Sequence, residues 1–464
     1  MNRIPAIAIF DIGKTNKKLF VFDGQYNILL EKSNQFEEIK DEDGDACEDI
    51  SALTYWVKQS ITELMDRQDF QIVALNFSTY GASFVHLDKE GNPVAPLYNY
   101  LKPFPEKLKK KFHGKYGDEM DFALHTASPV LGNLNSGMQL YYLKEEKPGL
   151  FKKIHTSLHL PQYMSYLVTG RLYSDITSIG CHTALWNFTL NRYHDWLHKE
   201  HIAGKLAPIF PSDQLMNTNW KGKPLLCGVG LHDSSAALIP YLSGFNDPFV
   251  LISTGTWCIS LNPFNQTKLT AEELKDDCLC YMEYRGKPIK ASRLFAGYEH
   301  EQQVKRLAQH FNKAENTYQD ISFDASIVQR LVRNAASDTK AARGKMLMQE
   351  SVFGQRDLQQ FRTYSEAYHQ LMMDIIAIQA VSTRLVSKEG NVKKIFVDGG
   401  FGKNTIYMRL LSAIFPGIDV YAASVAQASA IGAALAVHPY WNKNNFPTGL
   451  IELKHYADIE AIEI

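Results

Sequence analysis

Asp11 is followed by Gly13-Lys14-Thr15-Asn16, and short apolar runs, residues 7–10 and 19–22, flank the stretch on both sides. The pattern is that of a β-hairpin with a small, donor-rich tip. Backbone N–H groups and hydroxyls at such a tip can surround a phosphate, and Asp11 is placed to hold Mg²⁺ through water. Gly and Thr also serve simply to turn a chain, so the tip alone leaves both readings open. FVLISTGTWCISLNPF, residues 249–264, repeats the design with Gly255 and Thr256 at its turn. A third stretch, Asp398-Gly399-Gly400-Phe401-Gly402-Lys403-Asn404, ends an apolar strand ahead of a helix. Paired glycines there let a flat ligand approach the backbone. Asp233 precedes Ser234-Ser235-Ala236-Ala237 in a helix-opening position, where it suits an N-cap. A helix N-terminus equally favours a carboxylate with other work to do.

Gly13-Lys14-Thr15 invites comparison with a nucleotide P-loop, which the spacing rejects. That motif needs a Gly five positions before the Gly-Lys pair, and Ala8 stands there inside a strand. The loop also leads into a strand, where a P-loop opens a helix.

At 464 residues, two or more domains are expected. Apolar residues make up 45% and charged residues 21%, the proportions of an ordinary globular protein. A net charge of −1 gives no electrostatic case for nucleic acid or an anionic membrane. The basic run KLKKKFHGK, residues 107–115, lies among Glu106, Asp118 and Glu119 and reads as a solvated helix face. Six scattered cysteines lack zinc or disulfide spacing, which predicts reduced thiols. No signal peptide or bilayer-length apolar run is visible, so a cytoplasmic protein is expected.

The elements that must position these residues follow from periodicity. A third strand, residues 27–33, completes a meander, and a helix from Asp49 carries Leu53, Trp56, Val57, Ile61 and Leu64 on one face. Strands over residues 72–77 and 83–88 follow, giving the β-β-β-α-β order of an RNase H-like unit. Residues 100–225 read as mostly helical and loop-like, with two helices around a Pro-Gly break within 136–170. A turn-rich stretch at 244–248 marks a boundary. Beyond it come helices over 298–311 and 358–386, whose Tyr364, Tyr368, Leu371, Ile375, Ile378 and Leu385 form a core stripe. The two Gly-Thr turns lie about 240 residues apart, the pattern of duplicated domains rather than of a short repeat. The expectation is an α/β protein with an N-terminal domain over 1–245, a C-terminal domain over 246–440 and a tail over 441–464 packed on the body.

Two such tips and a glycine pair are hard to explain as coincident turns, and here the chain resembles a known family. From residue 7 to about 437 it is similar to the FGGY carbohydrate kinases of the actin, hexokinase and Hsp70 superfamily. Within it, the likeness is to rhamnulokinase- and L-fuculokinase-like members. It is carried by STYGASFVHLDKEG (78–91), by Leu167-Val168-Thr169-Gly170, by GLHDSSAAL (230–238), by STGTW (253–257), and by GGFGKN with SVAQASAIGAAL.

The resemblance implies two RNase H-like, actin-like ATPase domains with a cleft between them, clamping one nucleotide. It implies a kinase using ATP and Mg²⁺ to phosphorylate the primary hydroxyl of a small ketose, a deoxy-ketohexose such as L-rhamnulose or L-fuculose. Asp233 would be the general base, with His232, Gly81 and Ser83 at the sugar. Gly13, Thr15, Asn16 and Lys18 would meet the ATP phosphates on one side, Gly255 and Thr256 on the other. Gly399, Gly400 and Asn404 would take the adenosine, and Asp11 the Mg²⁺. The partners expected are these small molecules, with no nucleic acid or membrane, and a monomer or homodimer. The chain departs from the family at Lys18 in place of Arg, Lys17 in place of a small residue, and Gln162 in place of Asp. Tyr80 and Ser83, in the presumed sugar region, also differ from the usual Trp and Asp. Kinases for xylulose, another ketopentose or a polyol are the alternatives. Two further rivals are an actin- or Hsp70-like ATPase, and a sugar sensor without phosphoryl transfer.

Overall fold

The computed structural model describes residues 3–335, 351–387, 391–447 and 449–457. The chain divides into two compact units. The first comprises Met1–Gly244 with Cys280–Pro288 and Ala426–Leu450; the second comprises Phe245–Leu279, Ile289–Val425 and Ile451–Ile464. Of the expected tail, residues 448 and 458–464 lie outside the described residues.

In the first unit, the apolar runs form the expected meander: β1 (Ile4–Ile12), β2 (Lys17–Phe22) and β3 (Ile28–Asn34). Helix α1 (Ile50–Met65) follows, N-capped by Asp49, whose carboxylate accepts from the N–H groups of Ser51 and Ala52. Its Leu53, Val57, Ile61 and Leu64 are buried against the sheet, as their spacing predicts. β4 (Phe70–Thr79) lies parallel to β1, and Phe10 stacks on Phe77 beneath Trp56. β5 (Leu215–Trp220), β6 (Lys223–Gly228) and the short β7 (Leu231–His232) complete a seven-stranded sheet. β7 runs parallel to β4 and feeds helix α2 (Asp233–Gly244).

Register determines what this sheet can hold. Asp11 pairs with Lys18 across β2 and with Ser78 across β4, while Leu231 pairs with the same Ser78 and His232 with Thr79. The carboxyl ends of three parallel strands therefore carry Asp11, Ser78–Thr79 and His232–Asp233 side by side, the edge of an α/β sheet where ligands bind.

A local expectation fails here. Residues 136–170 are not two helices around a break: helices Ser136–Glu146 and Pro148–Lys153 are followed by strand Thr156–His159 and helix Leu160–Thr169. Pro148 opens a helix instead of breaking one, because the N–H of a first-turn residue has no intrahelical acceptor and none is lost.

The second unit repeats the plan. β8 (Phe249–Thr254) and β9 (Cys258–Asn262) form the second hairpin, and its sheet continues into β10 (Cys278–Met282) and β11 (Pro288–Leu294), of which Cys280–Pro288 is counted with the first unit. Helix α3 (Ala296–His310) and the long α4 (Tyr364–Ser387) precede β12 (Lys394–Gly399). Helix α5 (Thr405–Ile414), β13 (Asp419–Ser424) and β14 (Glu452–Tyr456) follow, in the sheet order β10-β11-β9-β8-β12-β13-β14. The α4 stripe is core, with Tyr368 and Leu371 wholly buried and Ile378 half-buried. Among the described residues no helix is long and apolar enough to cross a membrane.

Candidate active site

Asp233 stands in the first turn of α2, yet it does not cap the helix. Its Oδ1 accepts from its neighbour's N–H (Ser234, 2.6 Å) and hydroxyl (3.3 Å), not from residues further along. Its Oδ2 has no hydrogen-bond partner among the described residues, and the side chain is 37% exposed. Asp11 is the adjacent carboxylate. Burial pushes its pKa up to about 6 against the pull of the Ser429 hydroxyl, which donates to Oδ2 at 2.8 Å, and the charge of Asp233 adds to the rise. Ser429 comes from the helix Ala428–Ala436 of the same unit. Tyr100 also feels Asp233, which together with its own burial raises its pKa.

His232 is buried, and that burial lowers its pKa. Its Nε2 lies 3.4 Å from Asp233 Oδ1 and 3.7 Å from Cys181 Sγ, while its buried Nδ1 has no partner among the described residues. Gly81 makes room for this ring: a Cβ there would sit 2.6 Å from His232 Nε2. Ser83, by contrast, is 2% exposed and lies below the surface.

The first hairpin tip is closed by Gly13 N–H donating to the Asn16 carbonyl at 2.9 Å. Thr15 and Asn16 are exposed, and Asn16 Oδ1 accepts from Gln35 Nε2. Lys18 Nζ reaches Glu31 (3.3 Å) and Gln427 (3.5 Å). Lys17 does not add a free charge to the tip: it is buried in an ion pair with Glu48.

In the second unit, the β8–β9 turn is closed by Gly255 N–H on the Trp257 carbonyl, leaving Gly255 and Thr256 exposed. Thr254, which the sequence reading passed over, ties this turn to the glycine pair. Its hydroxyl donates to the Asp398 carbonyl at 2.6 Å and accepts from Phe401 N–H, and its carbonyl accepts from Gly400 N–H. Beside them lies a cavity of about 750 Å³ lined by Gly255, Gly297, His300, Tyr318, Gly400 and Asn404 among others. That is ample for a nucleoside. Gly400 lines it with open space where a Cβ would be, whereas Gly399, at φ +94°, is packed against Thr254. Asn404 spends its Oδ1 on the N–H groups of Ile406 and Tyr407, capping α5.

The donor set near Asp11 suits a hard cation. Mg²⁺ takes one or two carboxylates and keeps water and phosphate oxygens for the rest. Two adjacent aspartates provide that, and among the described residues no larger His/Cys/Asp/Glu cluster competes.

Residues 6–212 match the N-terminal domain of the FGGY family of carbohydrate kinases, and residues 246–445 match the C-terminal domain of carbohydrate kinase FGGY. The chain belongs to the FGGY family. A rhamnulokinase of Halalkalibacterium halodurans is 27% identical over 169 residues, 36% of either chain, so the match spans about a third of that relative's length. A carbohydrate kinase from Novosphingobium aromaticivorans superposes with a TM-score of 0.82 at 20% identity, covering 99% of this chain and 95% of that one. A ligand-bound xylulose kinase from Lactobacillus acidophilus gives 0.77 at 16%, covering 98% and 94%. These structural likenesses show the fold alone, a mixed α/β chain with two sheet-containing units.

Within this FGGY protein, the departures have visible local roles. Gln162 Nε2 donates to the Gly230 carbonyl at 2.8 Å, holding the segment that leads to His232. Tyr80 donates to Glu48 at 2.5 Å, so its hydroxyl points to the Lys17 pair.

Proposed function

We propose that this FGGY family member transfers the γ-phosphoryl group of ATP to the primary hydroxyl of a small ketose, a deoxy-ketohexose such as L-rhamnulose or L-fuculose. One observation carries the proposal: a carboxylate oxygen of Asp233, beside Asp11 and His232, is left unbonded at a helix start where capping would have consumed it.

A sugar hydroxyl is a poor nucleophile. In this reading Asp233 accepts its proton as the oxygen attacks Pγ and the bridging P–O bond to ADP breaks. A helix N-terminus is a favourable place for a carboxylate and for nearby phosphate charge. His232, oriented by Gly81, hydrogen-bonds the sugar, with Ser83 behind it. Asp11 holds Mg²⁺ through water, and the bound ion supplies charge neutralisation on the phosphates. Gly13, Thr15, Asn16 and Lys18 serve as phosphate contacts, and so do Gly255 and Thr256. Gly400 and Asn404 line the wall for adenosine, and Gly399, packed against Thr254, backs it. The name of the aligned relative supports a rhamnulose-type substrate, and the xylulose kinase likeness makes ketopentoses the first competitors to test.

The experiment is a panel of ketoses, aldoses and polyols with ADP release as readout. The expected result is sugar-dependent ADP release, highest with a deoxy-ketohexose. Asp233→Asn should lower turnover about 10²- to 10⁴-fold with ATP affinity nearly unchanged. ATP hydrolysis indifferent to every sugar would replace the kinase reading with that of an ATPase.

A further inference from the structure

A polar chain beneath the cavity of the second unit determines where one histidine carries its proton. Asn404 Oδ1 accepts from two backbone N–H groups, Ile406 and Tyr407, each at 3.0 Å. This orients the amide, so Nδ2 is the group that donates to the Tyr368 hydroxyl at 2.7 Å. Tyr368 is wholly buried, and its hydroxyl has one other hydrogen-bond partner among the described residues, His300 Nε2 at 2.9 Å. A phenol has one proton to give, and an amide NH₂ cannot take it. The proton therefore goes to Nε2, since any other direction would strand a buried donor. An imidazole accepting at Nε2 keeps its own proton on Nδ1. Burial also holds the His300 pKa down to about 4, so the ring is neutral.

His300 is half-buried, lines the cavity, and has no partner for Nδ1 among the described residues. The rings of Tyr318 and Phe401, which also line the cavity, meet it edge to face at 4.9 and 5.4 Å and hold its plane. We propose that His300 presents its Nδ1–H as a donor to an acceptor atom of the nucleoside, with Tyr368 and Asn404 as the positioning residues that set its tautomer. The acceptor is a purine ring nitrogen or a ribose oxygen. The proposal rests on the reading that this cavity takes the nucleoside of ATP.

Direct binding of ATP to the full-length protein, measured by calorimetry without sugar, separates the two claims. Wild-type protein that binds no ATP overturns the nucleotide reading itself. If it binds, His300→Phe should weaken ATP binding about tenfold, the worth of one neutral hydrogen bond, and raise KM for ATP with little change in kcat or in KM for the sugar. Binding equal to wild type would overturn the role of His300. ATP analogues (1-deaza, 3-deaza, 7-deaza and 2′-deoxy) identify the acceptor: one should lose affinity in wild type and lose nothing further in His300→Phe. Equal penalties in both proteins for every analogue would count against the contact. Long-range ¹H–¹⁵N spectra of the histidines supply a readout independent of activity. The Nδ1-protonated form is expected for wild type and a mixture for Tyr368→Phe; an Nε2-protonated His300 in wild type overturns the relay.

Discussion

Lys17 Nζ lies 2.6 Å from Glu48 Oε1, and the two side chains are only 3% and 4% exposed. Lys17 begins the strand that leaves the first hairpin tip, where a second cation would be expected to serve phosphate. Its ammonium is instead committed inward, also donating to the Lys14 carbonyl, while Glu48 receives the Tyr80 hydroxyl on its other oxygen. Burial and the Glu48 charge together push the Tyr80 pKa well up, so the phenol stays a donor. The hairpin tip and the Tyr80 segment are thus pinned through one carboxylate.

Truncating one member should expose the cost of an unpaired buried charge. Lys17→Ala should destabilise the first unit by about 3–5 kcal/mol in urea unfolding, and Lys17→Met with Glu48→Gln by much less. KM for ATP in the folded double variant should stay near wild type. A normally folded Lys17→Met protein with a strongly raised KM for ATP would return Lys17 to the phosphates.

The two glycines of β12 and the turn after it should respond differently to the same change. Gly399 has φ +94°, and an added Cβ would lie 2.0 Å from the Thr254 carbonyl oxygen. Gly399→Ala should therefore lower stability by several kcal/mol or prevent folding. Gly400 faces open space, so Gly400→Ala should unfold as wild type does but raise KM for ATP several-fold. Thermal unfolding beside ATP titration of both variants checks the pair.

What was legible in the chain follows the same line between local and remote causes. Both hairpins, the α1 face and the α4 stripe stand because each is written in nearest-neighbour periodicity and a turn. The pairing of Lys17 with Glu48 and of Asp11 with Ser429 was not, because no local pattern reports a partner 31 or 418 residues away. Asp233 and Asn404 illustrate the difference between type and use. Both are cap residues by type; Asn404 does cap its helix, while Asp233 bonds only its neighbour. Tyr368 reads correctly as core, yet its hydroxyl reaches the cavity lining through His300, which periodicity cannot register.

Ser429 should matter for metal rather than for sugar. Its hydroxyl stabilises the charged form of Asp11 from 2.8 Å. Ser429→Ala should raise the half-saturating Mg²⁺ concentration about tenfold, as loss of a ligand's outer partner does, with KM for the sugar unchanged. Chelation should abolish turnover in wild type and variant alike, and added Mg²⁺ should restore both. An unchanged Mg²⁺ requirement in Ser429→Ala would detach the hydroxyl from the metal site.

Glu200 offers a test of stability against pH away from the candidate site. Burial would push its carboxyl up, but hydrogen bonds from Lys115, Lys144 and Tyr116 outweigh it and hold the pKa at about 2. A group depressed in the folded state contributes stability above its unfolded pKa and loses it as pH falls towards the folded value. The contribution should therefore be complete above pH 4.5, the ordinary value, and drain away towards pH 2. With both lysine ends partly in water, about 2 kcal/mol is expected, less than the full linkage value. Urea midpoints of wild type and Glu200→Gln, followed from pH 7 downwards, should differ most at neutral pH and converge near pH 2. Parallel curves across that range would mean that the carboxylate and its lysines do not stabilise the fold.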